Sequence, residues 1–357
     1  MTSFSAERAA KGSAGLSVLR RRGLSLRFHR RSLLVSTGLA LLTGALLVLL
    51  VGSGEYPLSP AEVVEVLAGG GHAADAFIVN EVRLPRAVTG LLVGAALGLS
   101  GAVFQALVRN PLGSPDVLGF TQGAATGALA AIVLVGGGSM ALATGAALGG
   151  ILTGAVIYLL AWRGGAHGQR LILVGIGVAA ILTGVNGYLL TRADMADAGR
   201  AVLWLTGSLD GRGWDSALPL LAVLCALLPL VVLGCGRGLR MMELGDDAAY
   251  ALGVPVERVR LALLVAAVLL AAFAAAAAGP VAFVALTAPQ LARRLTRASG
   301  PHLLPSLWTG AALLLAADWL AQRAFPGHLL PVGVVTGLLG GGYLVWLLAR
   351  ERRAGRL

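Results

Sequence analysis

The sequence predicts an all-α, polytopic transmembrane helical bundle of about ten spans with N- and C-termini cytoplasmic. Three observations carry that prediction: a charge-poor composition, a series of span-length apolar runs, and a one-sided distribution of basic residues. Hydrophobic residues make up 57% and charged residues 13% of the 357 positions, and mean hydropathy is +0.83. A soluble globular chain carries about 25% charged residues, so water is the wrong solvent for this one.

A helix needs about 20 mostly apolar residues to cross a bilayer. Such runs lie at 33–52, 87–107, 117–136, 141–162, 170–190, 216–235, 261–279, 303–321 and 330–349. A tenth span is expected at 280–295, where GPVAFVALTAPQLARR is short and interrupted by Pro280 and Pro289. Its prolines leave carbonyls open, which only a surrounding bundle can satisfy. An even count also brings the basic loops to one side. With the N-terminus inside, 22 of the 28 Lys and Arg residues fall in the tail, 108–116, 163–170, 236–260, 293–302 and the C-terminal end, against 6 in 53–86, 192–215 and 322–329. This is the positive-inside bias of a membrane protein. Residues 1–31 read as a basic cytoplasmic tail, 32–350 as the transmembrane domain with a polar cytoplasmic loop at 241–257, and 351–357 as a basic cytoplasmic end.

Several function classes are excluded at this level. The formal charge of +11 sits in short clusters between apolar runs, not on the single exposed face that nucleic acid requires. No GxxxxGK[ST] or HExxH motif is present, and the five histidines are scattered through tail and loops. No catalytic, cofactor-binding or metal-binding residue is assigned. Ion-coupled secondary transport places ionisable groups at mid-membrane, and Asp318, near the outer end of a span, is the one candidate in the span interiors.

The loops hold the functional signals. MMELGDDAAYALGVPVERVR, 241–260, reads as two short helices joined by a turn at Gly253-Val254-Pro255, with Asp246, Asp247 and Glu257 at the positive N-terminal ends. Such a pair is either a docking element or an amphipathic connector. VRNPLGSPD, 108–116, reads as a rigid turn or a simple helix break, with Asn110 able to bond backbone opened by the prolines. In the outer segment 53–86, Ser59 and Glu62 form a helix-start signature. Arg83 and Arg86 stand one helical turn apart, either to receive external carboxylates or to anchor at the interface.

Four stretches, in order, carry a resemblance over about 40–350: VRLPRAVTGLLVGAALGLSGAVFQALVRNPLGSPDVLGFTQGA at 82–124, LGDDAAYALGVPVERVR at 244–260, GPVAFVALTAPQLARRL at 279–295 and LPVGVVTGLLGGGYLVWLL at 330–348. Together they resemble the permease of iron-siderophore, haem and vitamin B12 ABC importers, the FecCD or type II importer family. The resemblance implies a non-catalytic permease subunit in the membrane of a prokaryote. Its partners would be a second permease subunit, same or homologous, two cytoplasmic ATPase subunits that bind ATP and Mg, and an extracytoplasmic substrate-binding protein. Gly245, Asp246, Leu252, Gly253 and Pro255 inherit a role in coupling to the ATPases, and Arg83 and Arg86 a role in docking the binding protein. The family's last-loop arginine is matched one place late by Arg323. Gln105, Thr183 and Asn186 are candidate pathway residues, and the glycines of GLLVGAALGLSG, 90–101, are expected near the pathway axis. The implied cargo is a ferric siderophore, with haem or cobalamin as alternatives.

Overall fold

The computed structural model describes residues 16–21, 24–54, 56–162, 168–324 and 330–353. Two strands, β1 (Leu16–Arg21) and β2 (Leu24–His29), pair antiparallel in the stretch read from sequence as a basic tail. From Arg30 onward the described residues are helical or connecting, so the all-α expectation holds for the membrane domain.

In chain order the helices are α1 (Arg30–Gly52), α2 (Pro60–Leu67), α3 (Ala73–Val108), α4 (Phe120–Val135), α5 (Ser139–Ala161), α6 (Gly168–Arg192) and α7 (Met195–Leu205). They continue as α8 (Trp214–Met242), α9 (Asp246–Ala251), α10 (Val256–Ala278), α11 (Val284–Thr296), α12 (Leu303–Arg323) and α13 (Val332–Arg353). Seven are long and apolar enough to cross a bilayer, and α4, α11 and α13 are the shorter apolar or broken partners that bring the count to about ten. Each expected run therefore has its helix. The additional elements are α2, α7 and α9, all short and all between spans.

The hidden tenth span is resolved by its breakers. α10 ends where Gly279 turns to φ 74°, Pro280 lies in the non-helical link that follows, and α11 starts only at Val284, with Pro289 inside it. Pro85 lies at the start of the regular part of α3, just after a π-helical turn at Ile78–Arg83. The widened turn leaves the Asn80 carbonyl free to accept the Trp214 indole N–H at 3.1 Å, the kind of compensation a π-turn requires.

The centre of the bundle is α3, 94% buried over its apolar window, against 17% for α1 and α6. Glycines allow that burial. A Cβ on Gly94 would lie 2.4 Å from the Gly310 carbonyl oxygen of α12, one on Gly98 2.2 Å from that of Ser306, and one on Gly101 1.8 Å from that of Ala285 in α11. Close backbone approach of this kind is what drives helix association without a hydrophobic effect. The 90–101 glycines thus join helices within the chain, the close backbone approach their small size allows. A second close pair is α4 with α5, where a Cβ on Gly127 would meet the Gly145 carbonyl oxygen at 1.9 Å.

Gly101→Val is expected to be the most disruptive of these changes, because overpacking against backbone costs about 1–3 kcal/mol or more. Gly184→Ala, at a position with open space around it, should leave melting in detergent unchanged. Thermal melting of the two purified variants checks this.

Candidate docking and coupling sites on the two membrane faces

On the cytoplasmic side, α8 ends at Met242 and Gly245, at φ 117°, turns the chain into the six-residue α9. Asp246 opens α9 and is its electrostatic pin. Its carboxylate pairs with Arg109, at the end of α3, and with Arg260 of α10 at 2.7 Å. Arg260 is buried and also takes Glu257 at 2.5 Å, so α3, α9 and α10 share one charge network. Gly253 (φ 79°) and Pro255 return the chain directly into α10. The second of the two short helices expected at 241–260 is therefore the first turn of a spanning helix. Ala249 faces inward, while Leu244, Tyr250 and Leu252 stand exposed by 73%, 51% and 60%, an apolar patch on a polar loop of the kind that marks a protein contact. Beside it a cleft of about 350 Å³ is lined by Arg109, Asn110, Glu243, Arg293 and His302. Burial pushes the Glu243 carboxyl up, and Arg293 and Arg240 oppose that shift.

The segment after α3 is more than a surface turn. Arg109 takes a left-handed conformation (φ 54°), and Asn110 Oδ1 accepts the Leu112 N–H at 2.9 Å, the side-chain bond expected from sequence. The chain then climbs along α6. A Cβ on Gly168 would meet Val108, one on Gly175 would meet Leu118, and one on Gly119 would meet Ala179. Eleven residues of α6 correspond to about 16 Å, half of a hydrocarbon core about 30 Å thick. The stretch read as a cytoplasmic turn thus re-enters the bundle, carrying Asp116 with it. Asp116 is half-buried, accepts the Thr121 hydroxyl at 2.6 Å and lies near the Phe283 backbone. Sequence reasoning passed over it because it is outside the apolar runs; the signal was the proline spacing, which keeps the segment from forming a helix.

On the outer side, the three arginines have different surroundings. Arg83 donates to the carbonyls of Val51 (3.0 Å) and Tyr56 (2.6 Å), joining α3 to the end of α1. Arg86 grips Asp318 through Nη2 at 2.9 Å and Nε at 3.4 Å, and reaches Asp210 at 3.1 Å. Asp318 is 1% exposed and also accepts Gln322 at 2.8 Å. The candidate mid-membrane carboxylate of the sequence is thus the buried half of an ion pair at the outer end of the bundle. Arg323 is exposed, 4.7 Å from the Trp319 ring centroid, and donates to Ser53 at 3.1 Å. Ser59 and Glu62 form the reciprocal cap of α2, and the Ser59 backbone and hydroxyl hold the Glu62 carboxyl below its usual range.

The pathway candidates separate. Gln105 is buried within α3 and donates to the Leu286 carbonyl at 3.0 Å. Asn186 is buried between α6 and α4, accepting Thr126 at 2.7 Å and donating to Gln122 at 3.2 Å. Thr183 is exposed on α6, its hydroxyl donates to the Ala179 carbonyl of its own helix, and it lies on the same helix as Gly177, Gly184 and Gly187, which have open space around them.

A bundle of about ten apolar spans, with an exposed apolar patch on one face and three arginines at the other, defines a multi-pass membrane protein. The model of the FecCD transport family matches residues 40–350, and the chain belongs to that family. It is 48% identical over 84% of its length to the ferric enterobactin transport system permease protein FepG of Escherichia coli (strain K12), covering 91% of that protein. It is 39% identical over 83% of its length to the iron(3+)-hydroxamate import system permease protein FhuG of Bacillus subtilis (strain 168), covering 91% of it, and 36% identical over 76% to the hemin transport system permease protein HmuU of Yersinia pestis, covering 83% of it. Among solved structures, a chain described as of the metal-chelate type of ABC transporter, in an inward-facing conformation, superposes with TM-score 0.74 at 30% identity. That match covers 89% of this chain and 99% of the other.

Asp318→Ala leaves Arg86 with only its exposed partner Asp210, so it should cost about 3–5 kcal/mol, the loss seen when one partner of a buried pair is removed. Arg323→Ala, at an exposed cation–π contact, should cost about 1 kcal/mol or less. Melting of the two variants in detergent compares them.

Proposed function

We propose that this chain is one half of the translocation pathway of a prokaryotic plasma-membrane importer that moves a ferric siderophore into the cell. An external binding protein delivers the cargo to the outer face. Two separate ATPase subunits, which bind ATP and Mg, dock at α9. A second permease subunit, identical or homologous, completes the path. The observation that carries the reading is the α9 corner: an exposed Leu244–Tyr250–Leu252 patch mounted on a helix that Asp246 ties to two arginines on two spans. A patch fixed in this way can pass force into the membrane domain, whereas a floppy connector cannot. Gly245, Leu252, Gly253 and Pro255 shape the patch, and Asp246 anchors it.

On the outer face Arg83 and Arg323 present charge to carboxylates of the binding protein. Arg86, held by Asp318, supports their geometry and contributes to the same field. Thr183 on the open face of α6 lines the path, and Gln105 and Asn186 act through helix packing behind it. The identity to FepG and FhuG supports a ferric siderophore, and the match to HmuU supports haem as a second reading.

Uptake of radioactive iron as ferric siderophore into cells holding all partner subunits tests this. Leu252→Glu should weaken ATPase retention about 30-fold, the effect of losing a hot spot worth about 2 kcal/mol, and abolish uptake. Arg83→Glu/Arg323→Glu should lower uptake while ATPase subunits still co-purify. Haem uptake in place of iron-siderophore uptake by the intact chain moves the cargo to the second reading. Normal iron uptake by both variants rejects the two docking roles.

A further inference from the structure

The segment from Arg109 to Gly119 is held at points that differ widely in depth. At its cytoplasmic end Arg109 pairs with Asp246 of α9. Next, the Pro111 carbonyl accepts Gln290 Nε2 of α11 at 2.9 Å. At its inner end Asp116 accepts Thr121 of α4 at 2.6 Å and lies near the backbone of Phe283. Pro111, Pro115 and the Asn110 side-chain turn leave little slack between these points.

Asp116 lies where two helices begin inside the bundle, α4 at Phe120 and α11 at Val284. Helix N-termini carry unsatisfied N–H groups and partial positive charge, so a carboxylate between two of them is electrostatically favoured. A neutral Ser or Asn serves an ordinary turn, as Ser114 does for the Val117 N–H at 3.4 Å; an ionisable group at this depth is costly and marks function. Phe283 adds a second sign. It is a non-glycine residue at φ 67°, an uncommon backbone state. Gly340 of α13 packs so closely on it that a Cβ there would lie 2.2 Å from the Phe283 Cβ.

We infer that Arg109–Asp116 is a transmission strut and Asp116 its inner positioning residue, carrying displacement of α9 to the broken start of α11 and, through Phe283 and Gly340, to α13. The inference rests on the reading of α9 as the ATPase-docking element. A push on α9 moves Asp246, and with it Arg109. Because the segment is short of slack, that motion reaches Asp116 and the N-terminus of α11. The strut therefore couples cytoplasmic ATP hydrolysis to the part of the bundle where backbone is irregular at bilayer depth.

The test uses the full complex with its ATPase subunits in proteoliposomes, with ATP inside and binding protein carrying a ferric siderophore outside. Asp116→Ala and Asp116→Asn are read for ATPase retention, ATP hydrolysis and iron entry. The alanine variant is expected to retain the ATPase subunits and hydrolyse ATP, while iron entered per ATP falls about tenfold, as for a coupling free energy of ordinary size. The asparagine variant keeps an acceptor for Thr121 and should recover part of that ratio; it is the variant read if alanine lowers membrane abundance. An unchanged ratio in both variants overturns the strut, and so does loss of the ATPase subunits from both, which would make the segment an assembly element. Failure of the α9 reading shows separately, as full ATPase retention by Leu252→Glu.

Discussion

Backbone amides and carbonyls inside a bilayer have no water to bond, and this constraint shapes the protein more than any side chain does. Regular helices satisfy it internally. The two irregular stretches, 109–119 and 279–283, draw on side chains as well: Asn110 accepts the Leu112 N–H and Thr287 donates to the Phe283 carbonyl. Gln105 reaches the Leu286 carbonyl and Gln290 reaches that of Pro111. Those bonds require α3 and α11 to touch, and they touch because Gly101 lets the Ala285 carbonyl come within reach. Glycine packing and polar satisfaction are therefore one requirement.

Charge completes the design at the two boundaries. Asp246 joins α9 to α3 and α10 on the inner side, and Arg86 joins α3 to α12 on the outer side. Both pins act on α3, the most buried helix. A disturbance at either face is thereby delivered to the helix that packs against most of the others, which suits a transport permease.

Much of this was legible in the sequence. Nine apolar runs, a short proline-broken tenth and the basic loops placed the spans, the S-x-x-E pattern at Ser59 placed α2, and Gly253-Pro255 placed the turn after α9. The rest depended on tertiary contacts. The 90–101 glycines show small size but not which helix they meet, and that is settled only once α12 is in place. Arg83 and Arg86 are three residues apart, yet a π-turn and two different partners, Val51 and Asp318, give them different tasks. The amphipathic α7 was hidden in a polar outer loop. Asp116 was hidden by hydropathy itself, since a broken segment at bilayer depth scores as a loop.

In the proposed function, force delivered at α9 drives cargo through this chain. The most direct measurement is simultaneous counting of ATP hydrolysed and ferric siderophore entered in proteoliposomes holding the full complex, with loaded binding protein outside the vesicles relative to the cargo's entry. The account predicts cargo entry that requires ATP, requires the binding protein and stops when the ATPase subunits are omitted. Entry driven by an ion gradient without ATP would contradict it.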